Sequence, residues 1–124
     1  MTLPLIEAYK VDMQIELTRE IKLKDLYEII KSVNTICCSV DKDMIYCEHT
    51  KLADFVILFF KNKILIHYTI FRFSKIEYNI RNIEMIKLAR NVIQTLRKLG
   101  LIKTLKIITK LDGRTIVRTI QYCK

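Results

Sequence analysis

The sequence predicts an α+β domain: a curved antiparallel sheet with two helices on one face, in the chain order β-α-β-β-β-β-α-β-β. Three observations lead there. Several runs alternate apolar and polar residues with a period of two. Two stretches, near residues 24–33 and 81–99, repeat apolar residues at helical spacing. Short turns join neighbouring β-rich runs, which favours antiparallel pairing. At 124 residues and 51% hydrophobic, residues 1–124 read as a single domain with enough apolar material for a core. Two Gly and one Pro leave no room for a Gly-rich phosphate loop or a disordered tail.

The elements follow in order. Val11, Met13, Ile15 and Leu17 alternate with Asp12, Gln14, Glu16 and Thr18, which marks a half-buried strand. Leu23, Leu26, Ile30 and Val33 share one helical face opposite Asp25, Glu28 and Lys31. That helix is expected from Lys24 to Val33, closing near Asn34. Thr35 to Val40 and Met44 to Glu48 read as strands around a turn at Asp41-Lys42-Asp43. Asp54 to Phe60 and Lys63 to Phe71 form a hairpin through Lys61-Asn62, with Asn62 suited to positive φ. Arg72 to Tyr78 reads either as more strand or as loop. Arg81 to Leu99 is a helix with Met85, Leu88, Ala89, Val92, Leu96 and Leu99 on one face. Asn79 or Asn82 is its expected cap, and Gly100 its C-terminal stop. Leu101 to Leu111 and Arg114 to Tyr122 form a last hairpin through Asp112-Gly113.

Charge divides the chain. Residues 1–80 hold 11 basic and 11 acidic side chains. Residues 81–124 hold 11 basic ones against Glu84 and Asp112, so the whole +9 lies in the last third. Such an asymmetry points to a polyanionic partner, or to a solvated surface that keeps an apolar chain in solution. No apolar run reaches the roughly 18–20 residues of a membrane helix, so no membrane partner is expected. Met1 to Lys10 lacks the pattern of a secretory signal. Cys37, Cys38, Cys47 and Cys123 are therefore expected to be free thiols in a reducing, intracellular compartment, cytoplasm or nucleus.

Pairing the hairpins by register separates two faces. One holds Phe55, Ile57, Phe59, Ile64, Ile66, Tyr68 and Ile70 and should meet the helices. The other holds Val56, Leu58, Phe60, Lys63, Leu65, His67, Thr69 and Phe71. In the last hairpin Leu105, Ile107, Leu111, Ile116 and Ile120 share one face, and Thr104, Lys106, Ile108, Lys110, Thr115, Val117, Thr119 and Gln121 the other. An open face of Lys, Thr and apolar groups suits a nucleic-acid groove. It also suits a second copy or a protein partner, the contact that exposed apolar sheet faces more often mark, with Val56, Leu58, Leu65 and His67 as interface.

Two segments carry a family resemblance: Val56-Ile-Leu-Phe-Phe-Lys-Asn-Lys63 and Leu88-Ala-Arg-Asn-Val-Ile-Gln-Thr-Leu-Arg-Lys-Leu-Gly100. With the strand-helix-four strands-helix order, residues 9–111 resemble one repeat of the TATA-box-binding protein family. That resemblance implies a saddle-shaped sheet that binds duplex DNA, with Phe59 or Phe60 as the wedge inserted between base steps and Lys63 on a phosphate. Strand parity favours Phe60; a gapless match from Lys63 favours Phe59. The second repeat is missing, so a saddle requires a homodimer. The family's groove-reading Asn has no counterpart: Met13-Gln14-Ile15-Glu16 and Lys106-Ile107-Ile108-Thr109 stand there. The segment from Thr69 to Asn82 is longer than in the family.

Catalytic chemistry finds no motif. Ser32, Ser39 and Ser74 sit in no nucleophile elbow, and the histidines are His49 and His67 alone. Cys47 and His49 with Cys37 or Cys38 give three metal ligands at most, where zinc wants four. A winged helix lacks its compact helix-turn-helix. No enzyme, cofactor or metal is expected. The leading expectation is a small DNA-binding or transcription-associated homodimer. It would bind through Phe59 or Phe60, Lys63, Arg97, Lys98, Lys103, Lys106, Lys110, Arg114 and Arg118.

Overall fold

The computed structural model describes residues 5–32, 36–42, 44–49, 55–73, 76–111 and 113–122. The chain runs β1 (Leu5–Leu17), α1 (Leu23–Ser32), β2 (Ile36–Asp41), β3 (Met44–His49), β4 (Val56–Phe60), β5 (Lys63–Phe73), α2 (Ile76–Lys98), β6 (Ile102–Leu111) and β7 (Arg114–Gln121). The strands form one antiparallel sheet of seven in the order β2-β3-β4-β5-β1-β6-β7. β1 lies inside it, paired with β5 on one side and β6 on the other. The fold is therefore α+β, with long-range pairings closed by a chain that returns to its first strand.

Alternation decides which face is covered. Val11, Met13, Ile15 and Leu17 of β1, Ile57 and Phe59 of β4, and Ile64, Ile66, Tyr68 and Ile70 of β5 are buried. They pack with Leu26 and Ile29 of α1 and with Met85, Ala89, Val92 and Leu96 of α2 in one core. α1 packs on α2, and α2 packs on β5 and reaches β6. Both helices thus cover the same side, and the alternate residues face away: the even-numbered ones on β1 and β4 and the odd-numbered ones on β5. Phe55 and Tyr68 stack inside this core with ring centroids 6.0 Å apart.

The helix ends have local causes. At the start of α1 the Asp25 carboxylate accepts the Lys22 backbone N–H at 3.2 Å, and the Lys22 carbonyl accepts the Leu26 N–H at 3.0 Å. This is the carboxylate half of a capping box, with Asp in place of the usual Glu and no acceptor on the Lys22 side chain to return the bond. Arg19 closes on the same carboxylate through Nη1 at 2.6 Å and Nη2 at 3.1 Å. At the end of α2 the Leu101 N–H reaches the Leu96 carbonyl at 2.9 Å and the Gly100 N–H reaches that of Arg97 at 3.0 Å. Gly100 sits at φ 70°, which gives the paired bonds of a Schellman stop.

Several expectations are corrected. α2 begins at Ile76, so Arg72 and Phe73 extend β5 and neither Asn79 nor Asn82 is a cap. In the β4–β5 turn the positive φ falls on Lys61, at 54°, and not on Asn62. There the Asn62 carbonyl is held by the Leu17 N–H at 2.7 Å. Asn34, Asp43, Asp54, Asp112 and Cys123 lie outside the described residues. Cys38 and Cys47 are not free thiols. They face each other across β2 and β3, 4.1 Å apart at Cα, and form a disulfide; Cys37 is free and exposed. The expectation of a reducing compartment rested on free thiols and loses that support.

Candidate nucleic-acid interface

The uncovered face is set by register. Phe60 pairs with Met44 and Lys63, Leu58 with Tyr46 and Leu65, and Val56 with Glu48 and His67. Across β1, Glu16 pairs with Lys63 and Thr104, Gln14 with Leu65 and Lys106, and Asp12 with His67 and Ile108. Every one of these side chains shares the side away from the helices. Val56, Leu58, Leu65 and His67 are half-buried, and Phe60 is 40% exposed.

A bulge adds one more cation. Between Glu16 and Leu17 the register with β6 slips, so Thr104 opposes Glu16 and Ile102 opposes Leu17. The extra residue is Lys103. With Ile102 and Leu105 both buried, Lys103 is turned to the free side, where its Nζ lies 3.5 Å from Glu16 Oε1. His67 Nδ1 lies 2.5 Å from Asp12 Oδ1, so this histidine has a carboxylate partner on the same face.

The free face holds a depression of about 490 Å³ that spans five adjacent strands. Met44, Leu58, Phe60 and Leu65 line its β3–β5 side. Gln14, Glu16, Lys63, Thr104 and Lys106 line its β5–β6 side. Its volume falls in the ordinary range of ligand sites. The arrangement offers a flat apolar group a place against Phe60 and Leu58, and an anionic group a place at Lys63 and Lys106. Lys61 adds its ammonium 5.3 Å from the Phe60 ring centroid.

The predicted binding residues do not all meet here. Phe60, Lys63, Lys103, Lys106 and Lys110 lie on the free face. Phe59 does not: it is 4% exposed and belongs to the core, so it cannot be a wedge. Arg97 and Lys98 occupy the last turn of α2. Arg114 and Arg118 pair with Leu111 and Ile107 of β6 and so lie on the helix side. The basic last third is therefore split between the two faces. On the free face five lysines (10, 63, 103, 106, 110) meet four carboxylates (12, 16, 41, 48), a small positive balance.

Sequence reasoning missed the Asp12–His67 pair and the turning of Lys103. Opposed registers on β1 and β5 would have given the first; nothing in the sequence marks the bulge. Cys47 is consumed by the disulfide, so it offers His49 no metal-ligating partner. Among the described residues no three His, Cys, Asp or Glu side chains converge to hold a metal, and no helix is long and apolar enough to cross a membrane. No family model, curated protein or solved structure matches this chain, so the likeness to the TATA-box-binding repeat rests on its own residues.

Proposed function

We propose that this chain binds DNA through the free face of its sheet, as a homodimer with a role associated with transcription. One observation carries the reading: a depression that is apolar on one side and lysine-bearing on the other, on the face its own helices leave bare. A base or sugar needs the first and a phosphate the second. The strand-helix-four strands-helix order of β1 to α2 supports a likeness to one repeat of the TATA-box-binding family, and Phe60 on the open side supports its role as the wedge. The small positive balance of this face implies modest, salt-sensitive affinity rather than tight binding.

The test is oligonucleotide binding by fluorescence anisotropy at low salt, with single strands and duplexes of mixed sequence. The wild type binds, and Lys63→Glu/Lys106→Glu weakens binding at least tenfold. Equal affinity in the two proteins would refute the reading.

A second reading is favoured by Met44 and Tyr46, which are 40% and 37% exposed beside Phe60. In it, the apolar half of the depression is buried by a second copy or a protein partner through Val56, Leu58, Leu65 and His67. Leu58→Glu then converts a dimer to a monomer in size-exclusion chromatography. An unchanged elution volume would show that this face is not an interface.

A further inference from the structure

We propose that the helix-side surface of β6 and β7, beside α2, docks an acidic amphipathic helix of a partner protein. The helix layer is incomplete there. α1 and α2 pack on each other and α2 packs on β5, but cover thins out beyond β6. Ile116, on the helix side of β7, is 62% exposed, while Ile107 and Ile120 are only partly covered.

The flank of α2 that looks onto this gap is identified by Arg97, whose guanidinium carbon lies 5.5 Å from the Tyr122 ring centroid. Ile93, Arg90 and Ile86 stand one, two and three turns earlier on the same flank. Arg90 is exposed and Ile86 is 38% exposed. Across the gap stand Arg114, Ile116 and Arg118. No carboxylate occurs on β6, on β7 or on that flank. A solvated surface ordinarily mixes both signs. Here four arginines frame exposed isoleucines.

Those isoleucines select the occupant. A polyphosphate would use the arginines and leave Ile86 and Ile116 in water. An amphipathic helix uses both, setting leucine-type side chains on the isoleucines and carboxylates on the guanidinium groups. Two strands are about 10 Å wide, which matches the diameter of one helix, about 10 Å. The eight residues of β7 span about 26 Å, the length of roughly 17 helical residues. The α1 helix of a second copy complements this face poorly, because it exposes Lys24 and Lys31 against the single carboxylate of Glu28.

The experiment uses the full chain and a fluorescent 18-residue peptide with a leucine stripe at helical spacing flanked by glutamates. A peptide of the same composition in scrambled order is the control. The patterned peptide is expected to bind at least tenfold more tightly. Arg97→Glu, Arg118→Glu and Ile116→Glu, all at exposed or half-exposed positions, each weaken it at least fivefold. Lys106→Glu on the opposite face changes it less than twofold. Equal binding of the two peptides, or indifference to Arg118→Glu, overturns the proposal. So does loss of oligonucleotide binding in Arg118→Glu with retention in Lys106→Glu, which would give this face to nucleic acid. A dimer that Ile116→Glu dissociates would give it to a second copy and overturn the proposal as well.

Discussion

Phe59 and Phe60 are neighbours in sequence and stand in different media. Phe59 points under the helices and is 4% exposed, whereas Phe60 is 40% exposed on the free face. Phe59→Ala is expected to cost about 3–5 kcal/mol in urea unfolding. Phe60→Ala should cost about 1 kcal/mol or less, yet weaken oligonucleotide binding by about 1–3 kcal/mol through lost stacking. The opposite assignment of losses would reverse the orientation of β4. Asp25 gives a second test at this scale. The hydrogen bonds from Arg19 hold its carboxyl below the ordinary value of 3.8, helped by the Lys22 N–H and opposed by burial. A depressed carboxyl stabilises the fold above its unfolded pKa, and that contribution is lost as pH falls through the folded one. Asp25→Ala should therefore cost about 1 kcal/mol through the lost cap at neutral pH. The gap to wild type should narrow only below about pH 4. A gap that closes between pH 8 and 5 would contradict this role.

Among the elements, the β2–β3 hairpin is tied by Cys38–Cys47 across nine positions of sequence. Opening it with reductant, or with Cys38→Ala/Cys47→Ala, should lower stability by about 2–3 kcal/mol on the loop-closure account. Unchanged denaturation midpoints would show the strand edge to be held by pairing alone. The strands were legible because β1, β4 and β5 alternate without a break, and their parity separates Phe59 from Phe60. α1 was legible as an element and in part of its buried stripe, since Leu26 is buried and Ile30 packs against the core. Leu23 was expected inside and is 83% exposed, while Ile29 is fully buried. Leu23 is the first residue of the helix, which leaves it outside the packed turns. The start of α2 was hidden because Ile76 to Ile80 carries apolar residues compatible with strand or helix. The disulfide was hidden because spacing alone cannot bring Cys38 and Cys47 into register; the turn between them does.

On the scale of the molecule, the sequence gathers its excess charge in one third of the chain, and the sheet then divides it. Parity alternates along β6 and β7, so Lys106 and Lys110 go to one side and Arg114 and Arg118 to the other. A linear charge count cannot see that division, which is why the candidate site was legible in its residue types and only half in its membership. The likeness to the TATA-box-binding repeat rests on β4, its turn and the end of α2, while the absence of the groove-reading Asn leaves base readout without a residue. Binding by this face should therefore follow phosphate contacts and surface shape more than sequence.

The most direct measurement is the salt dependence of oligonucleotide affinity for the wild type and for Lys63→Glu/Lys106→Glu. Phosphate contacts from three to four of the five free-face lysines predict a slope of about −3 in log K against log salt for duplex DNA. The double variant should lose about two units of that slope together with its affinity. A wild type that binds no oligonucleotide at low salt, or a variant with the same slope, would contradict the claim that this face is the binding surface.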